Sequence, residues 1–261
     1  MDVGIIMDKL QIYLGEDLII SDLLTVHQPN IIDIAEFGES HYFHIIYTLC
    51  AIPSDIKSEL WDMGYNYCKM SEFDCFILLT RYIDTKDTKL IFGDTFSLKN
   101  MKPIKDPVTE ETVLLDEEQG IVIDEYIYTQ IVDYLRAAHG IKCKRERAAN
   151  KETFDILITE DRNKKAKRKQ EPEQGSILLP LISSMVNSPG FKYDIDSLKK
   201  LGIYAFMDSV QRIQAINTAT SLSNGMYSGM VDFSKNKGLN KQLNWLRDLS
   251  EDEHSSNVSI S

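Results

Sequence analysis

Cysteine and histidine, which build most metal and redox sites, are scarce in this sequence: there are 4 Cys and 5 His in 261 residues. Cys50, Cys68, Cys75 and Cys143 form no CxxC pair, and no histidine lies near them at ligand spacing. Their spacing therefore predicts no zinc site. Each cysteine lies among apolar or aromatic residues, which predicts buried, reduced thiols and fits a reducing cytosol.

The local signatures of common enzyme chemistries are also missing. The sequence has no GxSxG, GxGxxG or GxxxxGKS/T motif, so the hydrolase elbow, the dinucleotide site and the P-loop lack their usual geometry. His41 and His44 share a helix face, with Glu39 nearby, but a metal needs three or four ligands. We expect a protein that is not an enzyme and that has no catalytic residues, cofactor or metal.

No apolar run is long enough to cross a bilayer. The longest stretches, such as Ile177 to Ile182 with Pro180 inside, are far shorter than the roughly 20 residues required. The first residues carry acids early and lack a basic segment followed by an apolar one, so we expect no signal peptide. The sequence predicts no membrane association.

Positive charge is in the minority, with 29 Lys and Arg against 40 Asp and Glu and a net charge of -11. This balance argues against general attraction to nucleic acid or to anionic membranes. The hydrophobic content of 43% is that of an ordinary globular protein, so we expect a folded chain of one large domain or two small ones.

The hydrophobic pattern predicts an α+β fold, with strands confined to the N-terminal part. Leu10 to Val26 is interpreted as short strands, and a helix is expected from Asn30, weakened at Gly38. Further helices are expected with Ser54 and Ser71 as N-caps. Two β-hairpins are predicted, in "TKLIFGDTFSL" and in "TVLLDEEQGIVID", the second pairing residues 113–115 with residues 121–123.

The later sequence is predicted to be helical. Acids in the first turn and Gly140 at the end indicate a helix over residues 124–140. Asp194 or Asp196 caps a short helix, and a long helix continues toward Asn224. We therefore divide the chain into a mixed α+β domain (1–140), a charged helix with a basic linker (141–175), a helical domain (176–250) and an acidic flexible tail (251–261).

A basic run stands out against the acidic background, with six cations between Arg162 and Lys169. Acids flank the run on both sides, and no aromatic residue that could stack on bases lies between Phe154 and Phe191. We favour a solvated linker over a nucleic-acid contact. In the second interpretation the contacts would be Lys164, Lys165, Lys167, Arg168 and Lys169.

Aromatic and apolar residues outside this run predict a protein that works through surfaces. Trp61 and Trp245 are candidate anchors, because tryptophan is enriched at binding hot spots, although ordinary core tryptophans are the alternative. Met226 lies in "NGMYSGM", which is interpreted either as an adaptable contact surface or, as is more frequent, as a helix end with gap-filling methionines. The full set of candidate partner-binding residues is Trp61, Tyr204, Arg212, Ile213, Met226, Trp245 and Leu246.

Several stretches resemble proteins of the tail-gene modules of tailed bacteriophages of Gram-positive bacteria. These are "HQPNIIDIAEFGESHYF", "ELWDMGYNYCKMSEFDCFILL", "LIFGD", "YAFMDSVQRIQ" and "LNKQLNWLRDL". The similar proteins are tail assembly chaperones or minor tail structural proteins. The resemblance implies binding to the helical tape-measure protein or to tail-tube subunits, in the host cell cytoplasm or in the virion. It implies no catalytic residue, and the oligomeric state is not predicted.

Overall fold

A computed structural model describes residues 8–170, 175–228 and 237–249 of the chain. Their fold is α+β, as the sequence predicts. The described helices are α1 (Lys9–Tyr13), α2 (Ile31–Phe37), α3 (Glu39–Cys50), α4 (Lys57–Asp62), α5 (Glu72–Thr80), α6 (Thr85–Phe92), α7 (Glu125–His139), α8 (Lys151–Arg168), α9 (Leu178–Val186), α10 (Ile195–Lys199), α11 (Ile203–Tyr227) and α12 (Lys237–Leu243), with a 3-10 turn at Leu98–Asn100. The strands are β1 (Leu18–Ser21), β2 (Leu24–Val26), β3 (Lys102–Lys105), β4 (Thr112–Asp116) and β5 (Ile121–Ile123).

The strands form two separate antiparallel sheets, β1-β2 and β3-β4-β5. The predicted hairpin over residues 113–123 is confirmed, with Leu114 opposite Ile123 and Leu115 opposite Val122. Asp116 fixes its turn, because its carboxylate accepts hydrogen bonds from the backbone N–H groups of residues 118 and 119. Gly120 closes the turn at a positive φ of 69°, which glycine adopts without strain.

The other predicted hairpin is wrong. Residues 85–92 form helix α6, whose buried face consists of Thr88, Ile91 and Phe92, and Gly93 ends the helix at positive φ. The three- and four-residue spacing of this buried face outweighs the strand preference of its apolar residues. The strand expected to begin near Leu10 is likewise helix α1, which Asp8 caps through the N–H of Leu10.

Most of the helices begin and end at the residues predicted from the sequence. Asn30 begins α2 in a capping box with Asp33, and Gly38, with φ of 105°, separates α2 from α3. Ser71 caps α5 and Asp194 caps α10. Ser54 is not a cap, because its hydroxyl bonds to the backbone of residue 146 and α4 begins after residue 56.

The main core is a single hydrophobic cluster with α7 near its centre. Helix α7 contacts α1, α3, α11, β1 and β5. It ends at Gly140 in the left-handed conformation, as predicted. Buried side chains from α1, α2, α3, α5, α6, α7, α9, α10 and α11 join this cluster, so the early and late parts of the chain share one core. The division of the chain into domains stays a prediction.

Helix α8 packs apart from the main core. Phe154 and Ile158 of α8 meet Leu60 of α4 and Tyr67 in a small second cluster, called here the α4–α8 cluster. The basic run expected in a linker forms the last turns of α8, since the described helix continues to Arg168. The helix therefore continues through the basic run, whose positive charge does not end it. Cations near a helix C-terminus interact favourably with the helix dipole.

The late part of the described chain is helical, as predicted, and is joined to the early part through the backbone. Ile31 N–H donates to the carbonyl of Leu201 (3.1 Å), and Ile203 N–H donates to the carbonyl of Pro29 (3.2 Å). Gly202 lies opposite Asn30 at this junction. The predicted acidic tail lies outside the described residues. No helix of the described residues combines the length and hydropathy needed to span a bilayer.

Candidate partner-binding surface

Helix α11 is anchored by its first two turns. Ile203, Phe206, Met207 and Val210 are buried in the main core, at the three- and four-residue spacing of one helix face. The long helix predicted from Tyr204 onward is therefore confirmed. Packing against α7 fixes its start, which gives the rest of the helix a defined direction.

The second half of α11 buries much less of its surface. Ala215 and Ala219 are the buried residues there. Helix α12 also contacts α11. Ile216 is 37% exposed and Met226 is 39% exposed. This half of the helix presents side chains to solvent.

Arg212 holds the last described segment against α11. Its guanidinium donates to the backbone carbonyls of Trp245 (2.5 Å) and Arg247 (3.0 Å). A third contact, of 3.7 Å, joins it to the carboxylate of Asp208 one turn earlier. Burial raises the pKa of Asp208, while Arg212 lowers it and the Asp248 charge raises it further.

Helix α1 lies next to the same segment. Lys9 forms an ion pair with Asp248 (2.7 Å), and the ring of Tyr13 packs edge-on against the ring of Tyr204, with centroids 6.2 Å apart. Burial, followed by the Asp208 charge, raises the pKa values of both tyrosines. Both hydroxyls therefore stay neutral at physiological pH.

These contacts leave a group of apolar side chains exposed. Leu246 is 73% exposed, Leu14 is 66% exposed, and Leu10, Tyr13 and Trp245 are exposed by 40 to 60%. We call these five residues the Arg212 surface, because Arg212 fixes the backbone of the 245–247 segment and Tyr13 lies near enough to feel its charge. Exposed apolar groups held on a fixed frame are typical of protein-binding sites.

Four of the seven predicted partner-binding residues lie in this region: Tyr204, Arg212, Trp245 and Leu246. Ile213 is half-buried against the main core. Met226 lies near the far end of α11. Trp61 belongs to α4 and packs against Phe154, with ring centroids 5.3 Å apart, so it lies in the α4–α8 cluster. Whether these residues bind a partner stays a prediction.

The contribution of α1 to this surface is not predicted from the sequence. Lys9, Leu10, Tyr13 and Leu14 lie more than 230 residues from Trp245 in the sequence. A single sequence gives no signal for such long-range contacts. A local signal existed, because Leu10 and Leu14 have the four-residue spacing of one helix face. The interpretation of Leu10 to Val26 as short strands overlooks this helical spacing.

Part of the basic run is neutralised by ion pairs. Lys165 pairs with Glu59 and with Asp161 (2.8 Å), and Arg162 pairs with Asp62. The other four candidate nucleic-acid contacts are exposed: Lys164, Lys167, Arg168 and Lys169. The helix spaces them along its last two turns. A role in binding nucleic acid stays a prediction.

The histidines and cysteines of the described residues form no grouping of three that could hold a metal ion. His41 bonds to Asp87 (3.1 Å), and His44 is exposed. All four cysteines are free; Cys50 and Cys75 are buried, and Cys68 and Cys143 are half-buried. Burial raises the pKa values of the Cys50 and Cys75 thiols to about 12, so both are protonated and unreactive at neutral pH.

The chain is thus an α+β protein whose exposed surface near α11 is built by contacts of α1 and α11 with the segment that follows α12. Comparison with known families adds one finding: residues 167–250 match the model of the YomV second domain. YomV is a phage-associated protein family, and a match to this part of the chain weakly suggests a phage protein without bearing on tail assembly. The matched residues include α9 to α12. No curated protein and no solved structure matches the chain.

Proposed function

We propose that this chain is a non-enzymatic phage assembly protein that binds an amphipathic helix of another tail protein through the Arg212 surface. The partner would be the tape-measure protein or a tail-tube subunit, in the host cell cytoplasm. Supporting the proposal are the similarity of residues 167–250 to a domain of a phage-associated family and the resemblance of several stretches to tail-module proteins.

The observation that carries the proposal is the way Arg212 presents Trp245 and Leu246. Two hydrogen bonds to backbone carbonyls hold the segment in place, while both apolar side chains stay exposed. An amphipathic helix docks by placing its apolar face against such anchors. Preorganised anchors reduce the ordering cost of binding.

A chaperone role adds a physical requirement. A long helical partner exposes an apolar face until tube subunits cover it, and an exposed face of this kind aggregates. A surface of a few apolar anchors covers such a face with moderate affinity. The acidic net charge of the chain helps to keep the complex dissolved.

Co-expression with a tape-measure segment, followed by pull-down, tests the proposal. We expect the unmodified chain to retain the segment and increase its solubility. The double variant Trp245→Ala with Leu246→Ala should weaken retention about tenfold or more, as expected for hot-spot residues. A matched control, Ile156→Ala with Leu179→Ala, removes two exposed apolar side chains from α8 and α9 and should retain the segment normally. Equal retention by both variants would exclude the Arg212 surface.

The alternative is a structural component of the virion, and the two small antiparallel sheets of the early chain suit such a role. Mass spectrometry of purified virions separates the two functions. Abundant copies in the particle support the structural role, whereas absence from the particle supports the chaperone.

A further inference from the structure

A groove lined by residues between Gly64 and Leu114 has the lining of a ligand site. It encloses about 760 Å³ between α5, the loop before it, and the β3-β4 edge of the three-stranded sheet. Its apolar floor includes Leu98, Met101 and Leu114, which are buried in or near the main core. The volume lies within the range of pockets that hold small ligands.

The rim of the groove is positively charged, although the chain as a whole is acidic. Four cations line it, Lys69, Arg81, Lys99 and Lys102, against the single carboxylate of Asp74. Within the described residues, Lys69 and Arg81 have no ion pair, while Lys99 and Lys102 pair with Asp84 and Glu117. Both of these pairs are exposed. Exposed pairs contribute little free energy, so an incoming phosphate could replace their carboxylates.

Two exposed tyrosines complete the rim. Tyr82 is 74% exposed and Tyr65 is 45% exposed. The guanidinium of Arg81 lies over the Tyr82 ring, 4.8 Å from its centroid. Aromatic rings beside unpaired cations provide stacking surfaces for bases and charge for phosphates, the combination found in single-strand binding proteins.

We propose that this groove binds nucleotide units, with phosphates against Lys69 and Arg81 and a base on the Tyr82 ring. The source is either a free nucleotide or a single strand of DNA or RNA, since both offer the same chemistry. The groove is distinct from the basic end of α8, where aromatic residues that could stack on bases are missing from Thr159 to Gln170. The exposed tyrosines favour a nucleotide over an acidic peptide, which would need the cations alone.

Fluorescence anisotropy with a labelled oligothymidylate of about twelve nucleotides tests this proposal at low salt. We expect binding by the full chain that weakens as salt rises from about 50 to about 200 mM. The variant Lys69→Gln with Arg81→Gln, and the variant Tyr82→Ala, should each weaken binding about fivefold or more. All three side chains are exposed, and circular dichroism verifies that the variants fold.

The matched control is Lys164→Gln with Lys167→Gln, which removes the same charge from exposed positions of α8. We expect its affinity for the oligothymidylate to be close to that of the unmodified chain. Competition with thymidine monophosphate identifies the source: displacement at micromolar concentration indicates a free nucleotide, and displacement only by unlabelled oligonucleotide indicates a single strand.

Three outcomes would overturn the proposal. The first is no binding at low salt, and the second is an equal loss in the α8 control. The third is binding of polyglutamate as tight as that of the oligonucleotide, together with no effect of Tyr82→Ala. That last result would assign the groove to acidic peptides.

Discussion

The main core and the α4–α8 cluster differ in size and in the side chains that close them. The main core joins apolar side chains from the helices between α1 and α11 other than α4 and α8. The α4–α8 cluster has four buried apolar residues and is surrounded by charged contacts: the Ser58 hydroxyl donates to Asp161 (2.6 Å), Asp161 pairs with Lys165, and Lys57 pairs with Glu146 (2.6 Å). The comparison shows that burial stabilises the first region, whereas α8 depends on polar contacts that salt and acid weaken.

The largest expected effect is a cavity in the main core. Phe206 is fully buried, so Phe206→Ala should lower the free energy of unfolding by about 3–5 kcal/mol. Urea denaturation measures the change. Ile158→Ala in the α4–α8 cluster should cost less and should act mainly on α8, which hydrogen exchange can detect. A global destabilisation by Ile158→Ala as large as that by Phe206→Ala would remove the distinction between the two regions.

Acid should weaken the main core through His139. Its Nδ1–H donates to the Leu135 carbonyl (2.7 Å), so Nε2 accepts the hydrogen bond of the Tyr42 hydroxyl (2.7 Å) and the ring is neutral. Burial lowers the pKa of His139 from 6.5 to about 4. Between these pH values the unfolded chain binds more protons, so the free energy of unfolding should decrease as the pH is lowered from 6.5 to about 4, by about 3 kcal/mol in total.

Urea denaturation of the unmodified chain and of His139→Gln between pH 4 and pH 6.5 measures this dependence. The glutamine retains hydrogen-bonding groups but does not titrate. We expect its curve to be flatter over this range, since the remaining dependence comes from carboxylates. Parallel curves for the two proteins would contradict the role of His139.

A smaller effect is expected where α8 joins α4. Asp161 is buried and accepts hydrogen bonds from the Ser58 hydroxyl, the Ser58 N–H and Lys165. Asp161→Asn removes a charged acceptor, and should lower stability by about 1–3 kcal/mol. Faster hydrogen exchange of α8 amides would show that the loss is local. Asp155→Asn, on an exposed face of the same helix, is the control and should change little.

The smallest effect is expected at the exposed end of the same contact. Arg162 pairs with Asp62, and both side chains are about half exposed. Arg162→Gln should therefore change stability by about 0.5 kcal/mol or less. Thermal denaturation with and without added salt measures it. A cost comparable with that of Asp161→Asn would mean that exposed ion pairs also hold α8.

Much of the fold could be predicted because its signals are local. The caps at Asn30, Ser71 and Asp194, the glycine that ends α7, and the second hairpin all depend on residues close in sequence. The predictions are wrong for α1 and α6, where the sequence fits both a helix and a strand. In α6 a helical spacing of apolar residues coincides with a glycine turn that also fits a hairpin.

The candidate surface could be predicted only in part. The periodicity of α11 and the tryptophan near the end of the described chain were visible in the sequence. The contacts that assemble the surface were not, because Lys9 meets Asp248 and Tyr13 meets Tyr204 across most of the chain length. Such pairings depend on the tertiary packing of α1, which periodicity does not encode.

The backbone junction at Gly202 has a consequence for shortened forms of the chain. A fragment limited to residues 167–250 would lose the partners that Pro29 and Ile31 supply to Leu201 and Ile203. It would also expose Phe206 and Val210 to water, because their neighbours in α7 would be missing. The segment that resembles a separate domain in sequence should therefore aggregate when it is produced alone. Adding the earlier helices should restore its solubility.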